Sequence, residues 1–298
     1  MNVVVLMYKQ THRAKQAMST SLINFRIAAR EPWVNLYCST DSVQCVIDRL
    51  SDSARRVRNA QCGNRGGQTR VASALAYLRF QFTADVCIGE GLATFGPNDV
   101  ETLVTTAPRN LSTLTCPERA GYNVYHALPF VLDQATPFSL ENICELHARI
   151  GQGIIANAGR FRTVGSAPLG STRQYKVPEA IEGSLRDLVD SVNTLCLDNT
   201  ATDEDTIKIA SAFYAAFLMI HPFSDGNGRV ARLCLSWLLK DRFVVPVSLA
   251  VGGLDGRQIV LQCLESTETW DGKPSQLARY VLNCASDTAV SVAFAADV

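Results

Sequence analysis

Neither sign of charge is in excess in this 298-residue sequence: 28 Lys and Arg offset 28 Asp and Glu. A chain without net charge sets up no long-range field for a polyanion, so binding to DNA, RNA or an anionic membrane would need a local patch. Long apolar runs are lacking too. The longest candidate, residues 209–220, is interrupted by Ser211 and falls short of the roughly 18–20 residues that span a bilayer. No basic residue precedes the apolar stretch at residues 1–7, and Lys9, His12, Arg13 and Lys15 stand where a small-residue cleavage site would be expected. These absences predict an uncleaved, cytoplasmic chain with no nucleic-acid and no membrane partner. No C-x-x-C occurs among the ten cysteines, which are spread from Cys38 to Cys284, most of them in apolar surroundings as at Cys87, Cys144, Cys196 and Cys234. Reduced core thiols are therefore expected, not disulfides or zinc ligands.

What is present is a composition that folds: 47% hydrophobic and 19% charged residues, in a chain long enough for two modest domains or one embellished domain. Residues 1 to about 60 give no clear period; residues 43–50 fit strand or helix equally. Residues 54–70 carry Arg55, Arg56, Arg58, Arg65 and Arg70 around Gly63, Gly66 and Gly67, without an acid. No aromatic platform interleaves these arginines, so they read as a solvated loop between two helices in preference to an RNA contact.

From Gln68 the period becomes helical, with Val71, Leu75, Leu78 and Phe82 at three- and four-residue spacing, running into Cys87, Ile88, Gly89, Glu90 and Gly91. Ser139 reads as an N-cap ahead of Leu140, Ile143, Leu146 and Ile150, with Gly151 and Gly153 closing that helix. Residues 159–177 mix Phe161, Val164 and Tyr175 with Gly165, Pro168 and Gly170, which predicts a hairpin. Past Pro178, Ile181, Leu185, Leu188, Val192 and Leu195 are helical again. A polar loop and a helix over 207–220 follow, so the chain is expected to be mainly α.

The chemistry concentrates in residues 221–232, where His221, Phe223, Asp225, Gly226, Asn227, Gly228, Arg229 and Arg232 lie between two helical patterns. Glycines at such a junction bring backbone N–H groups of a helix start close to an anion. Arg229 and Arg232, three apart, offer guanidinium forks on one face. Asp225 is a hard oxygen ligand suited to Mg²⁺, and His221 is an imidazole able to take a proton from a hydroxyl near neutral pH. No G-x-x-x-x-G-K-[ST] offers a rival phosphate site.

This segment resembles the active-site motif of Fic proteins, H-x-F-x-(D/E)-G-N-G-R-x-x-R, at all eight specified positions. At roughly 5% usage per residue, eight fixed positions match by chance on the order of 10⁻¹⁰ times per start point. The likeness extends over about residues 86–285, including Leu146 and His147, then Gly159, Arg160, Phe161 and Arg162, then Tyr175, Lys176, Val177 and Pro178. It implies a mainly α, Fic-type helical bundle with a small β-hairpin flap. The implied layout is an N-terminal extension over 1–66, a helical region over 67–135 and a Fic domain over 136–290.

The resemblance also implies a protein adenylyltransferase that moves AMP from ATP to a Ser, Thr or Tyr hydroxyl of a target protein. His221 would be the base and Asp225 the Mg²⁺ ligand. Gly226, Asn227, Gly228, Arg229 and Arg232 would bind the nucleotide, with Phe223 fixing the loop from beneath. An extended segment of the target would pair with the flap at Val164, Gly165 and Ser166. Removal of AMP from a modified target by the same site, or a nucleotide-binding module without transfer, stay open, as does a homodimer. The family's inhibitory helix, (S/T)-x-x-x-E-(G/N), is similar to residues 86–91: Glu90 and Gly91 match, and Val86 replaces the Ser or Thr. Past Leu239 the likeness thins, with Val260 where a Tyr would be expected, so the base pocket is the least determined part.

Overall fold

In a computed structural model, residues 24–28, 41–92, 95–106, 111–133, 135–167, 174–196, 200–249, 254–269 and 273–298 are described. Ten α-helices follow in order: α1 (Val43–Gln61), α2 (Arg65–Gly89), α3 (Pro97–Thr105), α4 (Cys116–Leu132), α5 (Leu140–Gly151), α6 (Pro178–Cys196), α7 (Asp203–Ile220), α8 (Asn227–Leu239), α9 (Leu254–Thr269) and α10 (Ser275–Ala295). Among the described residues there is no strand. The mainly α architecture is present. The tip of the expected hairpin, residues 168–173, lies outside the described residues, and its arms are joined by a Tyr175 N–H to Ser166 carbonyl bond of 2.9 Å.

The helix starts follow from local chemistry. Ser42, Asn64, Thr115, Ser139 and Thr202 each accept a hydrogen bond from a first-turn backbone N–H with their side chains. Thr115 with Glu118 and Thr202 with Asp205 are reciprocal capping boxes. α8 differs: Gly226, at φ 78°, stands at its cap without a side-chain hydrogen bond.

α7 and α8 pack against each other at the centre, with α6 and α10 on α7 and with α4 and α5 on α8. α10 also runs along α1 and meets α2 and α9. One continuous core includes Val46 and Leu50 of α1, Val71 and Phe82 of α2, Phe213 and Phe217 of α7, and Tyr280 of α10. A small second cluster of Phe80, Ala84 and Val100 seats α3 on α2. The motif thus sits between helices whose facing sides are buried, which restrains the loop between α7 and α8.

Two expectations are corrected here. Residues 54–70 are not a loop: only 62–64 separate α1 from α2, because Asn64 caps α2 and the small residues Gly66 and Gly67 are accommodated in its first turn. Three of the five arginines in this stretch donate to backbone oxygens, and Arg55 pairs with the Asp52 carboxylate. Arg70 Nε donates to Ala296 O at 2.8 Å, Arg58 Nη1 to Arg242 O at 2.8 Å, and Arg56 to Val298 O. Cys196 is exposed, as are Cys45, Cys62 and Cys116, because each lies on the outer side of a helix end, whereas Cys87, Cys234, Cys263 and Cys284 are buried thiols. All nine described cysteines are free. Among the described residues no helix is long and apolar enough to cross a membrane.

Candidate functional site

His221 ends α7 in the left-handed region, φ 51° and ψ 61°, a conformation uncommon for residues other than Gly, though His, with Asn and Asp, is enriched in it. The surroundings impose it. Its N–H donates to Phe217 O at 2.9 Å, and its own carbonyl accepts from Arg162 Nε at 2.7 Å. The imidazole lies flat on the Tyr175 ring, centroids 3.9 Å apart and planes within 4°. Burial lowers the His221 pKa below the usual 6.5, the Arg162 charge adds to this, and the Leu218 backbone, Glu90 and Asp225 oppose it. The ring is therefore a neutral proton acceptor at pH 7.

The following loop is clamped from inside. Asn227 Oδ1 accepts from Phe223 N–H at 2.9 Å and Asn227 Nδ2 donates to Phe223 O at 2.8 Å, so this buried side chain closes the turn on itself. What Asn227 offers an anion is thus its backbone N–H, not its amide. The Phe223 ring is fully buried and stacks on His147 at 3.7 Å with planes 5° apart. His147 is buried on α5, which pushes its pKa down to about 4; its Nε2 lies 3.0 Å from Asp225 O, and its Nδ1 accepts from Gly159 N–H at 2.8 Å.

The Asp225 side chain is 69% exposed at the loop mouth. It accepts from Gly226 N–H at 2.6 Å and from Arg229 Nη2 at 2.9 Å. Arg229 is almost wholly buried, and among the described residues its Nε and Nη1 have no hydrogen-bond partner; nor has Arg232 Nε. Buried guanidinium donors left unpaired beside an uncapped helix start are unusual, and an anion is the group that completes them. α8 thus opens on three things an anion favours: free first-turn N–H groups, the positive end of the helix dipole and two cations.

Arg232 Nη1 is paired with Glu90 Oε1. Glu90 is the C-cap of α2, and its carboxylate rests on the backbone of Gly228, where any Cβ would collide with it. The carboxylate therefore occupies the space directly over the loop. One turn earlier on α2, Asp85 accepts from Ser248 Oγ at 2.7 Å and Gln81 Nε2 at 3.0 Å, and burial raises its pKa to about 6. Val86, in place of a Ser or Thr, is buried among apolar side chains.

A cavity of about 410 Å³ opens beside these groups, with Glu90, Tyr175, His221, Gly228 and Arg232 on one side and Arg257, Val260, Leu261 and Leu264 on the other. Val164 is 73% exposed and, with Gly165 and Ser166, stands on the arm that Arg162 ties down. Arg162 was visible in the sequence only as one letter of a short pattern. Its guanidinium donates to Val164 O at 2.8 Å, to Lys176 O, to Ile220 O at 3.4 Å and to His221 O, holding the segments on either side of residues 168–173 against the end of α7. No sequence period marks such a residue; an Arg among glycines and aromatics is the sole signal.

Residues 137–239 match the model of the Fic/DOC family. Over 114 residues the chain is 34% identical to the protein adenylyltransferase fic-1 of Caenorhabditis elegans, a stretch that is 38% of this chain and 21% of the nematode protein. The chain therefore spans about a fifth of that relative's length. A Fic domain containing signaling protein from Bacteroides thetaiotaomicron shares the fold, with a TM-score of 0.65 at 18% identity, covering 84% of this chain and 98% of that structure. So does Fic-1 (residues 134–508) from C. elegans, with a TM-score of 0.64 at 22% identity, covering 97% of this chain and 84% of that structure. The helix–loop–helix at 221–232 falls within the residues that match the Fic/DOC family, 137–239, and the bundle that encloses it has the fold of these Fic structures.

Proposed function

We propose that this chain is a protein adenylyltransferase that transfers AMP from ATP to a Ser, Thr or Tyr hydroxyl of another protein. The observation that carries the reading is the buried pair Arg229 and Arg232 at the start of α8, with Arg229 Nε and Nη1 and Arg232 Nε unpartnered among the described residues, within one loop of the His221 imidazole. His221 takes the proton from the incoming hydroxyl as its oxygen bonds to the α-phosphorus and pyrophosphate leaves. The backbone N–H groups of Gly226, Asn227 and Gly228 bind phosphate oxygens, and Arg229 and Arg232 hold the outer phosphates. Asp225 suits Mg²⁺, an oxygen-seeking ion that neutralises phosphate charge when bound. The target enters as an extended segment along Val164, Gly165 and Ser166, which places its hydroxyl beside His221.

Glu90 is the proposed brake. Its carboxylate engages the guanidinium that the γ-phosphate would need and lies over Gly228, so a like-charged phosphate is excluded from that position. The Glu90→Gly variant is expected to raise auto-modification from α-labelled ATP by tenfold or more, and His221→Ala in that background should abolish it. No labelling from any nucleoside triphosphate in the Glu90→Gly protein would overturn the reading. The same protein incubated with a pre-modified target distinguishes transfer from Glu90-dependent removal of AMP.

A further inference from the structure

Gly226 gives the loop its turn, and also a weakness. A glycine lacks the Cβ that stops the preceding peptide plane from flipping, so the Asp225–Gly226 peptide needs an outside hold if its N–H is to face one way. The carbonyl of Asp225 and the N–H of Gly226 lie on opposite edges of one rigid trans plane. Whatever grips the carbonyl therefore aims the N–H.

His147 has that grip. The Gly159 backbone N–H can only donate, so His147 Nδ1, at 2.8 Å, must present its lone pair. A neutral imidazole then carries its proton on Nε2, and Nε2 faces the Asp225 carbonyl oxygen at 3.0 Å, which can only accept. Both ring nitrogens have partners whose roles are invariant, so one tautomer satisfies the site. The ring has no access to solvent, and its face is pinned on Phe223. Gly226 itself packs against this edge: a Cβ there would sit 3.5 Å from Nε2. On the far edge of the same plane the Gly226 N–H reaches the Asp225 carboxylate at 2.6 Å, at the loop mouth.

We propose that His147 is a positioning residue for the transfer site: as the Nε2–H tautomer it locks the Asp225–Gly226 peptide, and so keeps the Gly226 N–H turned to the anion side of the loop. The inference rests on the nucleotide-transfer reading for what the N–H is aimed at, but not for the lock itself. His147 touches no reacting atom, and acts through that single peptide plane.

The test uses the full chain. Long-range nitrogen–proton NMR of the ¹⁵N-histidine-labelled Glu90→Gly protein should show His147 with a bare Nδ1 and a protonated Nε2. In the same background His147→Phe keeps the ring stack and leaves the part-buried Gly159 N–H and Asp225 carbonyl without the imidazole, whereas His147→Gln keeps an N–H donor at the ε position. His147→Phe should weaken Mg·ATP binding and lower saturated auto-modification by about thirtyfold or more, and His147→Gln should recover the rate to within about fivefold of the parent. A purely structural role predicts the two variants falling together in step with their thermal midpoints. A proton on Nδ1, or a His147→Phe rate within twofold of the parent in a folded protein, would overturn the proposal. If the parent binds Mg·ATP yet labels nothing, the transfer reading fails, and the tautomer with the Phe-to-Gln ratio in Mg·ATP affinity still decides for or against the lock.

Discussion

The loop at 221–232 and the two arms around residues 168–173 meet beside one cavity, which the arms reach through Tyr175, but they are held in different ways. Much of the loop's hold is internal, with His147 gripping the Asp225 carbonyl from α5: Asn227 closes on Phe223 through two hydrogen bonds, and Asp225 accepts from Gly226 and Arg229. The arms make a single described backbone bond to each other, Tyr175 to Ser166, and depend on Arg162 for the rest. Exposure follows the same division, with Phe223 and Asn227 buried and Val164 and Val177 open to solvent. A site that must hold phosphate in one geometry benefits from the first arrangement. A surface that must accept an incoming chain needs the free edge and modest local stability of the second.

The largest test of this contrast is Asn227→Ala. It leaves the Phe223 N–H and carbonyl buried and unpaired and removes the turn's internal closure, so unfolding free energy should fall by about 2–5 kcal/mol, with transfer lost. Urea denaturation measures it. A loss under about 1 kcal/mol would mean the loop is held from outside, as the arms are, and the contrast would break.

Arg162→Ala sharpens the comparison from the other side. Four carbonyls lose a buried, charged donor, two of them on the arms and two at the end of α7. In a Glu90→Gly background, transfer to protein acceptors should drop by about 10–30-fold, while Mg·ATP affinity, set by the start of α8, should move less than twofold. Calorimetry with nucleotide beside a labelling assay separates the two quantities. An equal loss in both would show that arms and loop are one unit.

The same division explains how much was legible in the sequence. The loop's residues sit within twelve positions, so their spacing alone put His221, Asp225, the glycines and both arginines at one helix start. The helices around them were readable because their buried faces repeat at 3.6 residues, as at Leu185, Leu188 and Val192. Contacts closed across long sequence separations left no period. Arg162 reaches 59 residues to His221, His147 reaches 78 to Asp225, and Arg70 reaches 226 to Ala296. Residues 54–70 were misread for a related reason: a run of Arg and Gly looks like loop until the carbonyls that the arginines cap are brought alongside by α10. Side-chain chemistry named the donors, but only the packing of helices supplied their acceptors.

The smallest expected effect concerns the ring contact between the arms and the loop's catalytic end. Tyr175 lies flat on His221, and such a ring contact is worth about 0.5–1.5 kcal/mol and keeps water from one face of the imidazole. Burial is the main reason that the His221 pKa lies below 6.5, and a lowered base pKa keeps the neutral form populated down to more acid solution. The acid limb of the rate profile should therefore fall below pH 6.5 in the Glu90→Gly protein, since the rate declines only as pH drops through the folded-state value. Tyr175→Ala lets water onto the ring, which favours the imidazolium and moves that limb upward toward 6.5, with a rate loss at pH 7.5 of only a few-fold. A downward shift would mean that Tyr175 acts on His221 through something other than the exclusion of water. An unchanged limb would assign the lowered pKa to burial by groups other than Tyr175 and to the Arg162 charge, leaving Arg162 as the arms' one electrostatic hold on His221.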